Sequence, residues 1–170
     1  MAFFALWVLG FLICILAVLF LYKQVASLKK SMDFQKQFMK VHPDAVRASF
    51  DQGWMWLDIL LAFFVLSFAS QSKLFAEGEG FQPEILSFVG IAVFCASKAV
   101  AHWNDGRLLF YRQGLVYHDQ DIPFSSIRSL TPAGSQYELA TKKEKLLLSK
   151  KEGQTIEEKM KEWKKNKRAR

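Results

Sequence analysis

The sequence lacks the residue patterns that usually signal catalysis, metal binding or disulfide bonding. Among its 170 residues there are two cysteines, Cys14 and Cys95, and three histidines that lie in separate segments. Both cysteines fall within long apolar runs, which predicts buried thiols rather than a disulfide framework or a Cys/His metal site. Gly-rich phosphate loops, the zinc-protease motif and the nucleophile elbow are also absent. We therefore expect no catalytic residue, no metal and no cofactor, and hence a protein that is not an enzyme.

Charged side chains are missing from the first 22 residues. This run has no basic start, no short apolar core and no small-residue cleavage site, so it is unlike a signal peptide. A helix needs roughly 20 apolar residues to cross a bilayer, and the run predicts a retained transmembrane helix over residues 3–22. Two further apolar runs of about 19 residues each predict a second span over residues 54–72 and a third over residues 85–103.

The polar residues are concentrated after the third apolar run. Hydrophobic residues make up 51% of the chain, yet the mean hydropathy is only +0.08. Residues 104–170 hold 15 Lys and Arg against 9 Asp and Glu. This division predicts a membrane domain over residues 1–103 and a basic domain over residues 104–170. A basic surface of this kind suits anionic lipid or nucleic acid, or it is simply a lysine-rich face in water.

The charges of the two predicted loops indicate the topology. Residues 23–53 hold six Lys and Arg and three Asp, whereas residues 73–84 hold one Lys and three Glu. An excess of Lys and Arg marks the cytoplasmic side of a membrane. We therefore expect a multi-pass protein of the plasma or inner membrane, with its amino terminus outside and its carboxy terminus in the cytoplasm.

Residues 23–42 continue the first apolar run as an amphipathic cytoplasmic helix. Apolar residues recur at helical spacing, with Gln35 as one polar interruption. The stripe consists of Leu21, Val25, Leu28, Met32 and Met39. It indicates either a helix docked on another part of the same protein or a helix that lies in the lipid headgroups. Pro43 predicts the end of this helix, and residues 44–50 then predict a turn or a short interfacial helix.

Two charges interrupt the second and third apolar runs. Asp58 lies four residues after Trp54, and Lys98 lies five residues before Trp103. With a helical rise of about 1.5 Å per residue, both charges reach a similar depth near the cytoplasmic boundary, and His102 follows one turn beyond Lys98. We expect Asp58, Lys98 and His102 to form an intramembrane polar group, because pairing lowers the cost of burying the charges. The alternatives are a lysine that extends to the interface and a site that handles a substrate or protons.

Small residues recur along one face of the third span. Ala92, Ala96 and Ala99 lie at one-turn intervals, with Gly90 nearby. Small side chains let helices approach closely in lipid. This face predicts helix packing, either against the first span or against a second copy of the chain.

The basic domain has a different pattern, that of short strands. Six apolar runs separated by turn residues predict an antiparallel meander; they cover residues 107–112, 114–118, 121–124, 127–130, 137–140 and 145–149. A helix should follow, because Thr155 and Glu158 have the spacing of a capping box. Its apolar stripe consists of Ile156, Met160 and Trp163. Its exposed lysines, predicted to face lipid or a partner, are Lys159, Lys161, Lys164 and Lys165.

Part of the basic domain resembles a known family. The runs Gly114-Leu115-Val116-Tyr117 and Ile122-Pro123-Phe124-Ser125-Ser126-Ile127 look like the strand, turn and strand pattern of small bacterial PH-like domains that follow transmembrane hairpins. The resemblance implies a multi-pass membrane accessory protein and identifies no ligand-binding residue. The expected fold class is an α-helical membrane protein with three transmembrane helices, plus a small cytoplasmic α+β domain made of a β-meander and a C-terminal helix, which is PH-like.

These features favour a non-enzymatic integral membrane accessory or scaffold protein, whose cytoplasmic domain binds a protein partner or anionic lipid. The expected partners are the lipid bilayer and either another membrane protein or a second copy of the chain. The alternative is a membrane-protein insertase or transporter subunit with a polar intramembrane pocket, similar in layout to the Oxa-type insertases. The short loop over residues 23–53 argues against that family. No aromatic and basic signature favours nucleic acid or the ribosome as a partner.

Overall fold

The computed structural model describes residues 2–50, 52–71, 83–142 and 144–168. The chain divides into two compact units, Met1–Lys29 with Gln52–Trp103, and Lys30–Asp51 with Asn104–Arg170. We call the first the helical unit and the second the sheet domain. Helix α1 contributes to both, because it runs without a break over Ala2–Val41. Most of the acidic loop predicted at residues 73–84 lies outside the described residues.

The helical unit contains the apolar part of α1 together with α2, Gln52–Gln71, and α3, Pro83–Asp105. All three helices are long and apolar enough to cross a membrane, which confirms the prediction of three such helices. Large apolar side chains on α1 and α2 are exposed, for example Leu12 at 51% and Phe64 at 67%. Apolar surface of this extent is favourable in lipid and unfavourable in water. The helical unit is therefore that of a membrane-embedded protein.

Helices α1 and α3 approach closely at a glycine. A Cβ atom added to Gly90 would lie 2.6 Å from Ile13 Cγ2 and 3.3 Å from the backbone nitrogen of Cys14. One turn away, Cys14 Sγ donates a hydrogen bond of 2.9 Å to the Leu86 carbonyl oxygen. The missing side chain of Gly90 thus lets the two helices pack, as small residues do between helices in lipid.

The sheet domain is built from two antiparallel sheets. Strands β1 to β4 pair in sequential order, and their bounds are Val46–Ser49, Arg107–Tyr111, Gly114–Tyr117 and Gln120–Pro123. After the 3-10 helix Phe124–Ser126 come β5 to β7, also in sequential order, with bounds Ile127–Ala133, Gln136–Thr141 and Lys145–Ser149. Each predicted apolar run from residue 107 onward forms a strand. The strand at the fourth run extends three residues beyond the prediction, and the last residue of the third run belongs to the 3-10 helix. The prediction of an antiparallel meander is confirmed.

Strand β1 was not predicted, because residues 44–50 suggested a turn or an interfacial helix. In the structure, Ser49 is the partner of Arg107 and Val46 is the partner of Phe110 in the β1–β2 ladder. The Phe50 backbone nitrogen adds a hydrogen bond of 2.8 Å to the Gly106 carbonyl oxygen. A strand of four residues whose partner lies about 60 positions later is determined by that pairing, and its local sequence carries no signal for it. The two strands that flank the α2–α3 segment are therefore neighbours in one sheet.

Helix α4, Lys150–Arg168, closes the core between the sheets. Ile156 is fully buried with Leu139 and Leu148, and the rest of the predicted stripe, Met160 and Trp163, packs against the same core. The predicted capping box is wrong. Ser149 and Glu152 form the cap instead, because the Ser149 backbone nitrogen donates to Glu152 Oε2 at 2.7 Å and the Glu152 nitrogen approaches Ser149 Oγ at 3.4 Å.

The last three turns of α1 pack on the sheet domain. Ser31 and Gln35 are 3% and 1% exposed, and Ser31 Oγ donates a hydrogen bond of 3.1 Å to the His118 carbonyl oxygen. Phe38 meets the Tyr111 ring edge to face, with 5.0 Å between the ring centroids. Ser31 and Phe38, which make these contacts, are not members of the predicted apolar stripe. The polar residue that interrupts the predicted stripe, Gln35, is the most buried of this segment.

Candidate functional site

The polar residues predicted within the apolar helices occupy two separate environments. Asp58 Oδ2 of α2 lies 3.5 Å from His102 Nε2 of α3. This carboxylate oxygen is buried and makes no hydrogen bond with the described residues. At 3.5 Å the histidine interacts with the carboxylate as a neighbouring dipole or charge rather than through a short hydrogen bond. Two members of the predicted polar group are thus in contact.

The third member, Lys98, lies against aromatic rings. Its Nζ atom is 6.0 Å from the centroid of the Phe20 ring and 5.9 Å from that of the Phe94 ring. The two rings stack with their centroids 5.5 Å apart. A cation over aromatic faces gains about 0.5–1 kcal/mol at an exposed site. Pairing of Lys98 with Asp58 stays a prediction.

The predicted small-residue face of α3 lies mostly inside the helical unit. Ala92 and Ala99 are 6% and 5% exposed, and Ala96 is partly buried. Cys95 on the same helix is also buried at 7%. These side chains contribute to packing within one copy of the chain.

The four predicted lysines of α4 are all exposed. Lys159 Nζ lies 3.0 Å from Glu162 Oε2, and Lys161 Nζ lies 2.8 Å from Glu157 Oε1. Among the described residues, Lys164 and Lys165 have no carboxylate within 4.0 Å. The positive charge of α4 is therefore least compensated in its last two turns.

A groove runs between sheet β1–β4 and helix α4. Its wider part, about 580 Å³, has apolar walls from the edge strand β1, from Phe110 and Phe124, and from Trp163. A narrower cavity of about 280 Å³ adjoins it and shares Arg112, Trp163 and Asn166 with it. Protein ligand sites typically combine a concave apolar surface with a few polar groups. This groove is the best candidate for a binding site in the sheet domain.

The β2–β3 turn at the narrow end of the groove is firmly held. The Arg112 backbone nitrogen donates a hydrogen bond of 3.0 Å to Asp44 Oδ2, and the Gln113 carbonyl oxygen accepts one of 2.9 Å from the Phe124 nitrogen. Tyr111 Oη donates a hydrogen bond of 2.7 Å to Asp121 Oδ1. Burial and then this hydrogen bond raise the pKa of Tyr111 above its usual value, so the hydroxyl stays protonated. Arg112 therefore projects from a preformed turn.

No sequence pattern marks this groove. Its lining residues come from the segment around β1, from the β2–β3 turn, from the start of the 3-10 helix and from the end of α4. The only local signal is the turn at Gln113-Gly114, which predicts a hairpin and no ligand. The segment around β1 and the helix α4 are far from this turn in sequence. The pairing of β1 and the packing of α4 bring them close to it.

A second polar cluster surrounds His118 in the β3–β4 turn, where the backbone has a φ of 54°. The Nδ1 atom of His118 lies 2.9 Å from Asn104 Nδ2, and Nε2 lies 3.4 Å from Asp105 Oδ1. Asp119 pairs with Lys30 at 2.6 Å. An amide donor at Nδ1 requires the neutral tautomer that carries its proton on Nε2. Among the described residues no group of three His, Cys, Asp or Glu is arranged to hold a metal ion.

Acid should weaken the sheet domain through His118. Burial lowers the pKa of His118 below 6.5, although Asp105 and Asp119 oppose this shift. Between the folded and the unfolded pKa, the unfolded chain binds a proton at His118 and the folded domain does not. The free energy of unfolding is therefore highest above about pH 6.5 and falls as the pH decreases through the folded pKa. We expect His118→Gln to remove most of this decrease when thermal unfolding of the full chain is compared between about pH 7.5 and about pH 5.5.

The matched control is His42→Gln, which changes another histidine of the same domain. His42 stacks on Phe38 with 4.4 Å between ring centroids and makes no ion pair among the described residues. That variant should keep the acid dependence of the wild type. An unchanged acid dependence in His118→Gln would contradict the assignment.

No protein-family model, no curated protein and no solved structure matches this chain.

Proposed function

We propose that this protein is a non-enzymatic integral membrane accessory or scaffold protein, whose sheet domain lies in the cytoplasm and binds a protein partner or anionic lipid. One observation carries the proposal. The α2–α3 segment leaves the sheet domain after β1 and returns at β2, and these strands are hydrogen-bonded neighbours with Ser49 opposite Arg107. A ligand bound to the sheet domain is consequently held at the membrane, because the two apolar helices lie in the chain between neighbouring strands of that domain.

The sheet domain is, in this proposal, PH-like. Support comes from seven strands arranged as sheets of four and three, followed by a helix that packs on the core. The resemblance of the runs Gly114–Tyr117 and 122–127 to PH-like domains concerns β3, β4 and the 3-10 helix of this arrangement. A sheet scaffold with a groove beside its closing helix is suited to binding a ligand.

The orientation follows from the charge of the loops. Residues 23–53 carry an excess of positive charge and continue into the sheet domain, so the positive-inside tendency puts that domain in the cytoplasm and the amino terminus outside. A cysteine introduced at Lys165 should react with a membrane-impermeant maleimide only after the cells are permeabilised. A cysteine introduced at Glu79 should react without permeabilisation, and the reverse pattern would invert the topology.

Purification of the full chain tests the scaffold role. A tagged protein extracted in mild detergent should recover a membrane protein in a fixed ratio, or anionic phospholipid in excess of its share in the membrane. If anionic lipid is the ligand, Lys164→Gln with Lys165→Gln should weaken its binding about 30-fold, since each lysine near a lipid surface contributes about 1 kcal/mol. The charge-matched control Lys142→Gln with Lys145→Gln should change it little. Recovery of neither partner nor lipid would overturn the proposal.

The second candidate, an insertase or transporter subunit, is supported by the buried Asp58 oxygen near His102. A buried carboxylate in an apolar helix is often part of a pathway for ions or protons. If the protein has this function, ribosomal proteins or a substrate should be recovered in the same purification. Asp58→Asn would then abolish function without changing the amount of protein in the membrane.

A further inference from the structure

We propose that the narrow end of the groove, between the β2–β3 turn and the end of α4, binds a phosphoryl group. The inference rests on the proposed function, because it names the chemistry of a ligand for the same sheet domain. The group would belong either to the headgroup of an anionic phospholipid or to a soluble phosphorylated compound. In both, the chemical group that the cavity binds is the same.

The charge of the cavity is the first argument. Arg112 and Lys167 line it, and none of its lining residues is acidic. Within the described residues, neither side chain has a carboxylate within 4.0 Å, whereas Lys159 and Lys161 of α4 each form an ion pair with a glutamate. Two like charges that line one cavity repel, and an anion between them relieves that repulsion. The lining of the narrower cavity thus carries two positive charges, whereas the nearest acidic residues of the groove, Asp44 and Glu162, line its wider part.

The neutral groups of the cavity fit an oxyanion. Ser125 supplies a hydroxyl, and Gln113 and Asn166 supply amide groups to the lining. Each of these can donate to a phosphate oxygen while the cations balance its charge. A volume of about 280 Å³ admits a phosphoryl group with a small substituent and is below the range of most sites for larger ligands.

The backbone that carries Arg112 and the ammonium group of Lys167 are both held by contacts within the sheet domain. Arg112 projects from a turn whose backbone is hydrogen-bonded to Asp44 and Phe124. The Nζ atom of Lys167 lies 5.4 Å from the centroid of the Trp163 ring, and Trp163 packs on the core. Preorganised groups lose less entropy on binding. Arginine suits this role in particular, because its planar guanidinium makes paired hydrogen bonds to phosphate.

The test uses the full chain in nanodiscs of neutral phosphatidylcholine. Inorganic phosphate is titrated by calorimetry, and in a second arm the nanodiscs contain phosphatidic acid, whose ³¹P signal is followed by NMR. Arg112→Gln and Lys167→Gln should each weaken binding about 10- to 100-fold, the usual effect of losing a hydrogen bond from a charged group. Lys142→Gln removes the same charge from an exposed residue outside the groove, and it should leave binding within about twofold.

The outcomes separate the two sources of the phosphoryl group. Binding of inorganic phosphate that Arg112→Gln weakens to the expected extent supports a soluble ligand. A response to phosphatidic acid alone, lost in the same variant, supports a lipid headgroup. The inference is overturned if neither probe binds, or if Lys142→Gln weakens binding as much as Arg112→Gln does. That failure is distinct from failure of the scaffold role, which is measured by the recovery of a partner or of lipid from cells.

Discussion

A fragment of residues 104–170 should fail to unfold cooperatively, whereas a chain of residues 30–168 with a Gly-Ser linker in place of residues 51–103 should fold as a soluble domain. The physical reason is β1. This strand provides the edge of the four-stranded sheet, and Ala48 and Phe50 pack against the buried core. Because Phe50 is partly buried, its removal costs a part of the ~3–5 kcal/mol typical of a fully buried Phe, and the lost strand pairing adds to this cost against the ~5–15 kcal/mol that stabilises a typical domain.

The linker chain should succeed because the ends that it joins are already adjacent. The Phe50 nitrogen and the Gly106 carbonyl oxygen are 2.8 Å apart, so the four residues between them, Gly-Ser followed by Asn104 and Asp105, can close an ordinary hairpin loop. It also retains residues 30–41 of α1, with Ser31 and Phe38 on the sheets.

Urea unfolding followed by circular dichroism and tryptophan fluorescence distinguishes the two chains. The linker chain should show one transition that both signals report together, as expected of a two-state domain. The shorter fragment should show a broad, low-amplitude change. A sharp transition in the fragment, with the same dependence on urea as the linker chain, would show that β1 is dispensable.

The part of the fold that could be predicted from sequence is the part determined by local pattern. The apolar runs identify the three helices, and the runs from residue 107 onward identify six strands, because length and alternation are properties of neighbouring residues. The stripe Ile156, Met160 and Trp163 identifies the buried face of α4 for the same reason. Strand β1 depends on a partner beyond two helices, and no window of the sequence contains both strands.

The start of α4 shows a different limit. Two segments have the capping-box spacing, Ser149 with Glu152 and Thr155 with Glu158, and the glycine between them favours the later start. In the structure the earlier pair caps the helix, and Thr155 Oγ1 donates to the Lys151 carbonyl oxygen at 2.9 Å within it. Tertiary packing decides the choice, since Gly153 lies against a tyrosine of the sheet.

The groove was beyond sequence prediction for a related reason. Arg112 belongs to a hairpin turn and Lys167 to the last turn of a basic helix, and each alone is an ordinary exposed cation. The role that we propose for the two together depends on the packing of Trp163 against the core, since both residues line one cavity with it. The predicted lysines, by contrast, came from charge pattern alone, and half of them prove to pair with glutamates of their own helix.

Gly153→Ala should destabilise the sheet domain by about 1–3 kcal/mol, the usual effect of overpacking a core. The sign is opposite to helix propensity, which favours Ala over Gly by about 1 kcal/mol within a helix. A Cβ atom at Gly153 would overlap Cγ of the Tyr137 ring and lie 2.6 Å from Tyr137 Cβ. These atoms are at the base of the side chain, so rotation of the ring does not move them away from the helix.

A double-mutant cycle identifies the clash as the cause. In a Tyr137→Gly background, Gly153→Ala should become neutral or stabilising, because the ring and the Cβ atom of Tyr137 are gone and only the helix propensity remains. The control Gln154→Ala changes the next residue of α4, which is exposed, and should stay within about 0.5 kcal/mol of the wild type. Stabilisation by Gly153→Ala in the wild-type background would mean that α4 does not approach β6 as closely as the structure has it. Because α4 also forms one wall of the groove, Gly153→Ala should also weaken the binding of a ligand in the groove, whereas Gln154→Ala should leave that binding unchanged.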